Sequence, residues 1–295
     1  MSKLIIMVGV PGSGKSTIAK TLFKEDNPTV LSSDNYRYKL FGDENDQTHN
    51  EEVFNALYKD MRTLLSEGVS VILDATNVTV KSRKSAFNAI RGLKDVTVIA
   101  YVVNTDIETC IERDAKRDRS VGKEVIHKMV NRFEYPQFFE GFTGIMLHND
   151  KAFDVNARNE IEDRVLRFNQ MNPHHSHSLG KHSDLVAEEF DTSDDRYEAG
   201  KLHDVGKLFT QTFDTNGIAH YYNHENVGTY YLCSHPELVK SEYNFINVLF
   251  YTNYHMKMFQ IKQSEKSVNK YKQLLGEVSY NKLAEFNTAD EKASK

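Results

Sequence analysis

Cysteine is scarce in this chain of 295 residues: Cys110 and Cys233 stand far apart, in neither a redox nor a zinc-ligand spacing. That excludes a disulfide framework and points to a reducing compartment. No apolar run approaches the length of a membrane span, and Met1-Ser2-Lys3 runs directly into a strand pattern with no leader ahead of it. The expectation is a cytoplasmic protein without membrane contact. Positive charge is not in excess either, since 37 Lys and Arg face 42 Asp and Glu for a net charge of -5. Any polyanion site must therefore be local. Repeats and low-complexity tracts are lacking too. What remains, 39% hydrophobic and 27% charged residues, is the composition of a globular protein. The length is enough for two cores and favours two domains.

The most informative stretch is Gly9-Val10-Pro11-Gly12-Ser13-Gly14-Lys15-Ser16-Thr17, which follows the apolar run Leu4 to Val8 and precedes a helical pattern. This is the composition of a phosphate-binding P-loop. Gly9, Gly12 and Gly14, with Ser13 and Thr17 beside them, let backbone amides turn toward the phosphates of ATP. Lys15 supplies a point charge, and Ser16 offers a hydroxyl to magnesium.

From Leu4 to about Leu147 short apolar runs alternate with helical periodicity, the mark of a parallel sheet with helices on both faces. The spacing predicts strands over 4–8, 29–32, 69–74, 96–103 and 144–147, and helices over 15–24, 51–67, 79–91, 107–116 and 123–133. Beyond that the strand pattern stops, and a helical stretch over 157–169 leads to Asn172-Pro173. The expected organisation is an α/β P-loop domain over 1–150, a connecting helix and linker over 151–172, and an all-α domain over 173–295. In the last, helices are predicted over 182–190, 194–208, 223–232, 245–255, 264–275 and 280–293.

In the first half, Ser32-Ser33-Asp34-Asn35-Tyr36-Arg37 follows the second strand, at the carboxyl edge where open α/β sheets bind ligands. Asp34 there can accept the proton of an attacking hydroxyl or help hold a metal. It can equally cap the next helix. Asp74, at the end of the third strand, suits a magnesium-ordering carboxylate, or a turn shared with Asn77. Arg113 and Arg117, four apart in Glu112-Arg113-Asp114-Ala115-Lys116-Arg117, fall on one helix face. They suit a lid over a phosphoryl in transit, or a solvated charged face.

Together these motifs resemble the kinase module of bacterial and phage polynucleotide 5′-kinases, over roughly residues 3 to 147. The resemblance implies that Asp34 is the general base toward a 5′-hydroxyl, that Arg37 engages the acceptor's own phosphate, and that Arg113 and Arg117 are lid arginines.

In the second half, His203-Asp204-Val205-Gly206-Lys207 ends a predicted helix, with His182 upstream and His224, His255 and Asp290 downstream. A carboxylate can bridge two ions while imidazoles bind one each, and nitrogen and oxygen ligands without cysteine favour a catalytic divalent metal. The order of these residues resembles the HD phosphohydrolase superfamily. It implies one metal on His182, His203, Asp204 and Asp290, a second on Asp204, His224 and His255, and Lys207 beside the substrate phosphate. Asp184 or Glu225 could replace Asp290. The metal would be manganese, cobalt, nickel, iron or zinc. His174, His175 and His177 form a second histidine cluster in the connecting segment, read as structural or near the substrate.

A 5′-kinase module joined to an HD phosphoesterase resembles the HD-Pnk enzymes, in which the order of the two modules can be reversed. The implied function is healing of nucleic-acid ends, RNA before DNA, with ATP and magnesium at one site and removal of a 2′,3′-cyclic phosphate or a 2′- or 3′-phosphate at the other. A ligase would act downstream. Two alternatives stand beside it: a kinase for a nucleoside or other small metabolite joined to a nucleotidase, and a nucleotide-dependent switch.

Overall fold

The computed structural model describes the chain except residues 23, 150–153, 155, 174, 175 and 295. It divides into two compact units, residues 1–129 with 136–150 and residues 130–135 with 151–295.

In the first unit, β1 (Ser2–Val8) is apolar from Leu4 to Val8, and all five of these side chains are fully buried. Burial on both faces is what a central parallel strand requires. The other strands are β2 (Thr29–Ser32), β3 (Val71–Asp74), β4 (Val96–Asn104) and β5 (Gly144–Asn149). The sheet order is β2-β3-β1-β4-β5 and every pairing is parallel, with Leu4 opposite Val71 on one side and Val98 on the other. The intervening helices are α1 (Lys15–Ala19), α2 (Ser33–Phe41), α3 (Asn50–Ser66), α4 (Val80–Ala89), α5 (Ile107–Ala115) and α6 (Lys123–Val130). α1 is shorter than expected, yet Ile18, Ala19 and Leu22 still pack on Ile5, Met7, Ile72, Tyr101 and Val103. α3 buries Val53, Leu57, Met61 and Leu65, one residue per turn. Because β3 lies between β1 and β2, the P-loop, Asp74 and the start of α2 emerge side by side at the carboxyl edge.

The second unit contains α7 (Ala157–Arg167), α8 (Leu179–Glu188), α9 (Asp195–Leu202), α10 (Lys207–Thr210), α11 (His224–Ser234), α12 (Phe245–Tyr254), α13 (Lys257–Ile261), α14 (Glu265–Leu275) and α15 (Glu277–Ala293). It is helical but not purely so. β6 (Gln211–Phe213) and β7 (Ala219–Tyr221) form an antiparallel hairpin, which corrects the all-α expectation. Its turn is built by Asp214, whose carboxylate accepts from the amides of Asn216 at 2.8 Å and Ile218 at 3.0 Å, with Gly217 at φ 77°. Three-residue strands are too short for a two-residue periodicity to register.

Two further differences bear on the sites. The helix predicted over 194–208 breaks after Leu202, so His203 and Asp204 sit in the turn before α10. Residues 130–135, expected in the first domain with 130–133 closing its last helix, group instead with the second unit. There Asn253 accepts from the Tyr135 amide at 3.1 Å and donates to the Phe133 carbonyl at 3.2 Å, while Phe133 meets Tyr230 edge-on. No described helix is long and apolar enough to cross a membrane.

Candidate active sites

The P-loop is shaped by close backbone approach. Gly12 has φ 79°, and a Cβ there would lie 2.2 Å from the Cys110 carbonyl oxygen, so only glycine lets the loop reach α5. The loop is fastened at both ends: the Gly9 amide donates to Thr76 O at 2.9 Å, and Thr105 Oγ1 donates to Ser13 O at 3.1 Å. Gly14 caps α1 in the left-handed conformation, leaving Ser16 and Thr17 on the surface beyond it. Lys15 is buried and its ammonium donates to Val10 O at 2.9 Å. Burial lowers its pKa to about 8, partly opposed by the charge of Asp74.

Asp34 is not the helix cap. Ser32 takes that position, and Asp34 stands in the first turn of α2 with its carboxylate between two guanidiniums. Arg37 Nη1 donates to one oxygen at 2.8 Å, and Arg119 Nη1 lies 3.0 Å from the other. Arg37 is buried and also donates to Asn50 Oδ1 at 2.8 Å. The turn after β3 falls to Asn77, at φ 46° with its amide donating to Met7 O at 2.9 Å, while Asp74 is left to line the cavity.

The arginine pair differs from expectation. α5 ends at Ala115, so Arg117 lies beyond the helix in a loop rather than on the same helical face as Arg113. That loop is organised by the fully buried Asp114, which accepts from Ser120 Oγ at 2.7 Å and from the amides of Val121 and Gly122 at 3.0 Å each. Lys15, Ser16, Asp34, Arg37, Asp74 and the arginines of this loop line one cavity of about 640 Å³. Among the described residues lining it, five are cationic (Lys15, Arg37, Arg113, Arg117, Arg119) and two anionic (Asp34, Asp74). The local basic site that the net charge concealed is here, and it matches a polyphosphate.

Arg119 and Asn50 were missed in the sequence. A third arginine two residues past Arg117 was the available signal for Arg119; nothing local marks Asn50.

In the second unit the predicted ligands converge. Asp204 lies at the centre, one oxygen 3.0 Å from His224 Nε2 and 3.7 Å from His255 Nε2, the other 3.3 Å from His182 Nε2 and 3.5 Å from His203 Nε2. Asp290 reaches His182 Nε2 at 3.1 Å and His203 Nε2 at 3.7 Å. Three overlapping groups could each hold an ion: His182, His203 and Asp204; Asp204, His224 and His255; and His203, His255 and Asp290. Asp184 and Glu225 do not take Asp290's place; Asp184 pairs with Lys201 and Glu225 lies on the Nδ1 side of His224. Asp290 is held inward because α15 also buries Leu283, Phe286, Asn287 and Ala293.

The donor set fits a cation for a specific reason. The Nδ1 atoms of His203, His224 and His255 lie 2.9, 2.8 and 2.8 Å from the carbonyls of Gly200, Tyr221 and Thr252. A carbonyl only accepts, so each Nδ1 carries the proton and each Nε2 presents a lone pair inward. The Nε2 atoms of His224 and His255 are 3.2 Å apart. Two lone pairs at that distance repel unless a positive charge lies between them. Burial, with His203 and His224 nearby, lowers the His255 pKa to about 3, whereas for His224 burial acts downward but hydrogen bonding to Asp204 outweighs it and raises the pKa, so a metal ion or a proton on His224 can supply that charge. For His182 burial acts downward, but hydrogen bonds donated to Asp204 and Asp290 raise its pKa to about 9.

Close packing holds the array together. A Cβ on Gly206 would lie 2.0 Å from the His224 carbonyl oxygen, so the turn carrying His203 and Asp204 presses directly on α11. Lys207 is buried, 2.7 Å from Asp204 and 3.0 Å from Gln170 Oε1. His174 and His175 lie outside the described residues. Among the described residues His177 joins the neighbourhood through its carbonyl, which accepts from Gln170 Nε2 at 3.1 Å.

Residues 4–136 match a family model described as an AAA domain. A protein of Autographa californica nuclear polyhedrosis virus, described as a candidate bifunctional polynucleotide kinase/RNA ligase, is 26% identical over 155 residues, covering 45% of this chain and 22% of that protein. The L-seryl-tRNA(Sec) kinase of Methanococcus maripaludis is 26% identical over 176 residues, covering 57% of this chain and 66% of that protein. The chain thus spans about a fifth of the viral relative and just under two thirds of the Methanococcus one. A solved structure titled the Pnkp1/Rnl/Hen1 RNA repair complex aligns with 31% identity and a TM-score of 0.39, over 44% of this chain and 43% of that one.

Proposed function

We propose that the chain heals nucleic-acid ends, RNA before DNA, with two chemistries. The first unit transfers the γ-phosphoryl of ATP to a 5′-hydroxyl. Asp34 accepts the hydroxyl proton, Lys15 and the arginines neutralise the phosphates, Arg37 meets the acceptor's own phosphate, and Ser16 with Asp74 would hold magnesium. The second unit removes a 2′,3′-cyclic phosphate or a 2′- or 3′-phosphate. Divalent ions on His182, His203, Asp204, His224, His255 and Asp290 would activate water and neutralise the ester. Lys207 sits on the Asp204 side of the array, where it can meet a substrate phosphate. A ligase acting on the product ends is the natural downstream partner, and the viral relative's description names both a polynucleotide kinase and an RNA ligase.

The observation that carries the kinase half is the placement of Asp34, between Arg37 and Arg119, in the same cavity as Lys15. A switch that only senses nucleotide has no use for a carboxylate flanked by arginines beside the P-loop. The test is one RNA bearing a 5′-hydroxyl and a 2′,3′-cyclic phosphate, incubated with ATP and each candidate metal and scored at both ends. Label at the 5′ end, lost in Lys15→Ala and Asp34→Ala, supports the kinase; full labelling by either variant refutes it. Loss of the cyclic phosphate only with a transition metal supports the second activity.

A small-metabolite kinase joined to a nucleotidase is the second reading. It is favoured by the acidic segment after α2, where Asp43, Glu44 and Asp46 would repel a long strand. Mononucleosides that outcompete oligonucleotides for the first site would select it.

A further inference from the structure

We propose that Arg119 is an acceptor-sensing positioning residue: it occupies one oxygen of Asp34 until an anionic group on the acceptor draws it away and frees the base. This rests on the kinase reading above.

The two oxygens of Asp34 are held by different arginines, Oδ1 by Arg37 at 2.8 Å and Oδ2 by Arg119 at 3.0 Å. Asp34 therefore has one oxygen in a charge-assisted hydrogen bond and the other in an ion pair, so an acceptor hydroxyl approaching Oδ2 competes with Arg119 for that oxygen. A guanidinium that leaves opens its oxygen to the acceptor hydroxyl.

The two are not equally free to do so. Arg37 is tied a second time, to Asn50 Oδ1 at 2.8 Å, and its side chain is only 7% exposed. Among the described residues the other ion-pair partner of Arg119 is Glu44, at 3.8 Å, and that carboxylate is half exposed. Its backbone is nonetheless anchored, because Asp114 fixes Ser120, Val121 and Gly122 immediately after it. An anchored backbone with an exchangeable side chain is what a sensor needs.

The chemistry of the signal follows from the unused donors. The Nε atoms of Arg37 and Arg119 are buried without a hydrogen-bond partner. An anion with several oxygens, such as a phosphate on the acceptor itself, would satisfy donors that Asp34 alone cannot. The substrate class is therefore a hydroxyl compound that carries its own phosphate within reach of both guanidiniums, such as a nucleoside 3′-phosphate or a longer strand with a 5′-hydroxyl.

With Arg119 on that phosphate, Asp34 Oδ2 takes the hydroxyl proton. The acceptor oxygen bonds to the γ-phosphorus of ATP, and the bond from that phosphorus to the β,γ-bridging oxygen breaks, its electron pair leaving with ADP. Without such an acceptor Asp34 stays occupied, so water is not activated and ATP is conserved.

The test uses the full chain, its Arg119→Gln and Arg119→Lys variants, and labelled ATP. The acceptors are a nucleoside 3′-monophosphate and the matching unphosphorylated nucleoside. Arg119→Gln is expected to lower the preference for the phosphorylated acceptor by about tenfold, the size of one charge-assisted hydrogen bond, mostly through KM. ATP hydrolysis without acceptor should rise several-fold, and Arg119→Lys should restore most of the preference. Unchanged preference and unchanged acceptor-free hydrolysis in Arg119→Gln would overturn the inference while leaving the kinase reading intact. A wild-type protein that labels neither these acceptors nor a 5′-hydroxyl oligonucleotide would overturn the kinase reading itself, and the inference with it.

Discussion

Asp204→Asn separates the two jobs of the central carboxylate, because asparagine keeps the shape and removes the charge. Asp204 is 2% exposed, touches all four imidazoles within 3.7 Å and lies 2.7 Å from the buried Lys207 ammonium. In chelated protein the substitution leaves that ammonium without its counter-charge, which costs about 3–5 kcal/mol. In loaded protein it also removes the ligand shared by two of the three candidate ion groups. An ion that binds only the folded state stabilises it by about 2.7 kcal/mol at about 100 times its Kd. For a unit of this size that raises Tm by about 5–10 °C. Scanning calorimetry after chelation, and again with manganese, cobalt, nickel, iron or zinc, measures both effects. Wild type should gain the upward shift. Asp204→Asn should start lower and respond much less, since only the group of His203, His255 and Asp290 survives intact, and adding Lys207→Met should recover part of the starting stability but not the lost response. A full metal shift in Asp204→Asn, or none in wild type with any of these ions, would refute the proposed centre.

Nucleotide affinity should depend on pH through Lys15. Its pKa in the free protein is depressed to about 8 by burial, and bound phosphates favour the charged form. Affinity for a non-hydrolysable ATP analogue is therefore full below about pH 8 and falls above it, approaching tenfold per pH unit until the pKa of the complex is reached; a flat titration from pH 7 to 9.5, or the same slope in Lys15→Met, would contradict this. Gly12→Ala drives a methyl to within 2.2 Å of the Cys110 carbonyl at a φ of 79°. The loop must part from α5, so analogue binding measured calorimetrically should vanish, with a stability loss of about 1–3 kcal/mol.

Legibility followed the reach of the signal along the chain. Gly9 to Thr17 could be read directly because every part of a P-loop is adjacent in sequence. Asp34 and Arg37 are one helical turn apart, so their partnership was foreseeable. Their third partner was not, since Arg119 arrives from a loop 85 positions away whose course is set by Asp114. The turn at Asp214 to Gly217 was written in residue types that favour turns, but the three-residue strands beside it carry too little pattern to be noticed. Residues 130–133 read as the end of a helix because nothing nearby in sequence reveals Asn253, more than a hundred residues on, as the partner of the backbone at Phe133 and Tyr135.

The sequence by itself determined the chemistry on offer: a phosphate loop, a base with an arginine one turn away, and a supply of imidazoles and carboxylates without cysteine. Those are properties of residue type and short spacing, which local sterics and hydrogen bonding enforce. Only the tertiary structure decided that Asp34 is clamped by two guanidiniums, that Asn77 rather than Asp74 makes the turn, and that Asp290 faces the histidines. It also turned the imidazoles so that their lone pairs meet, by giving the Nδ1 protons of His203, His224 and His255 carbonyl acceptors. Such choices depend on which distant backbone comes within hydrogen-bonding distance, and that is settled by packing, as where Gly206 presses on the His224 carbonyl.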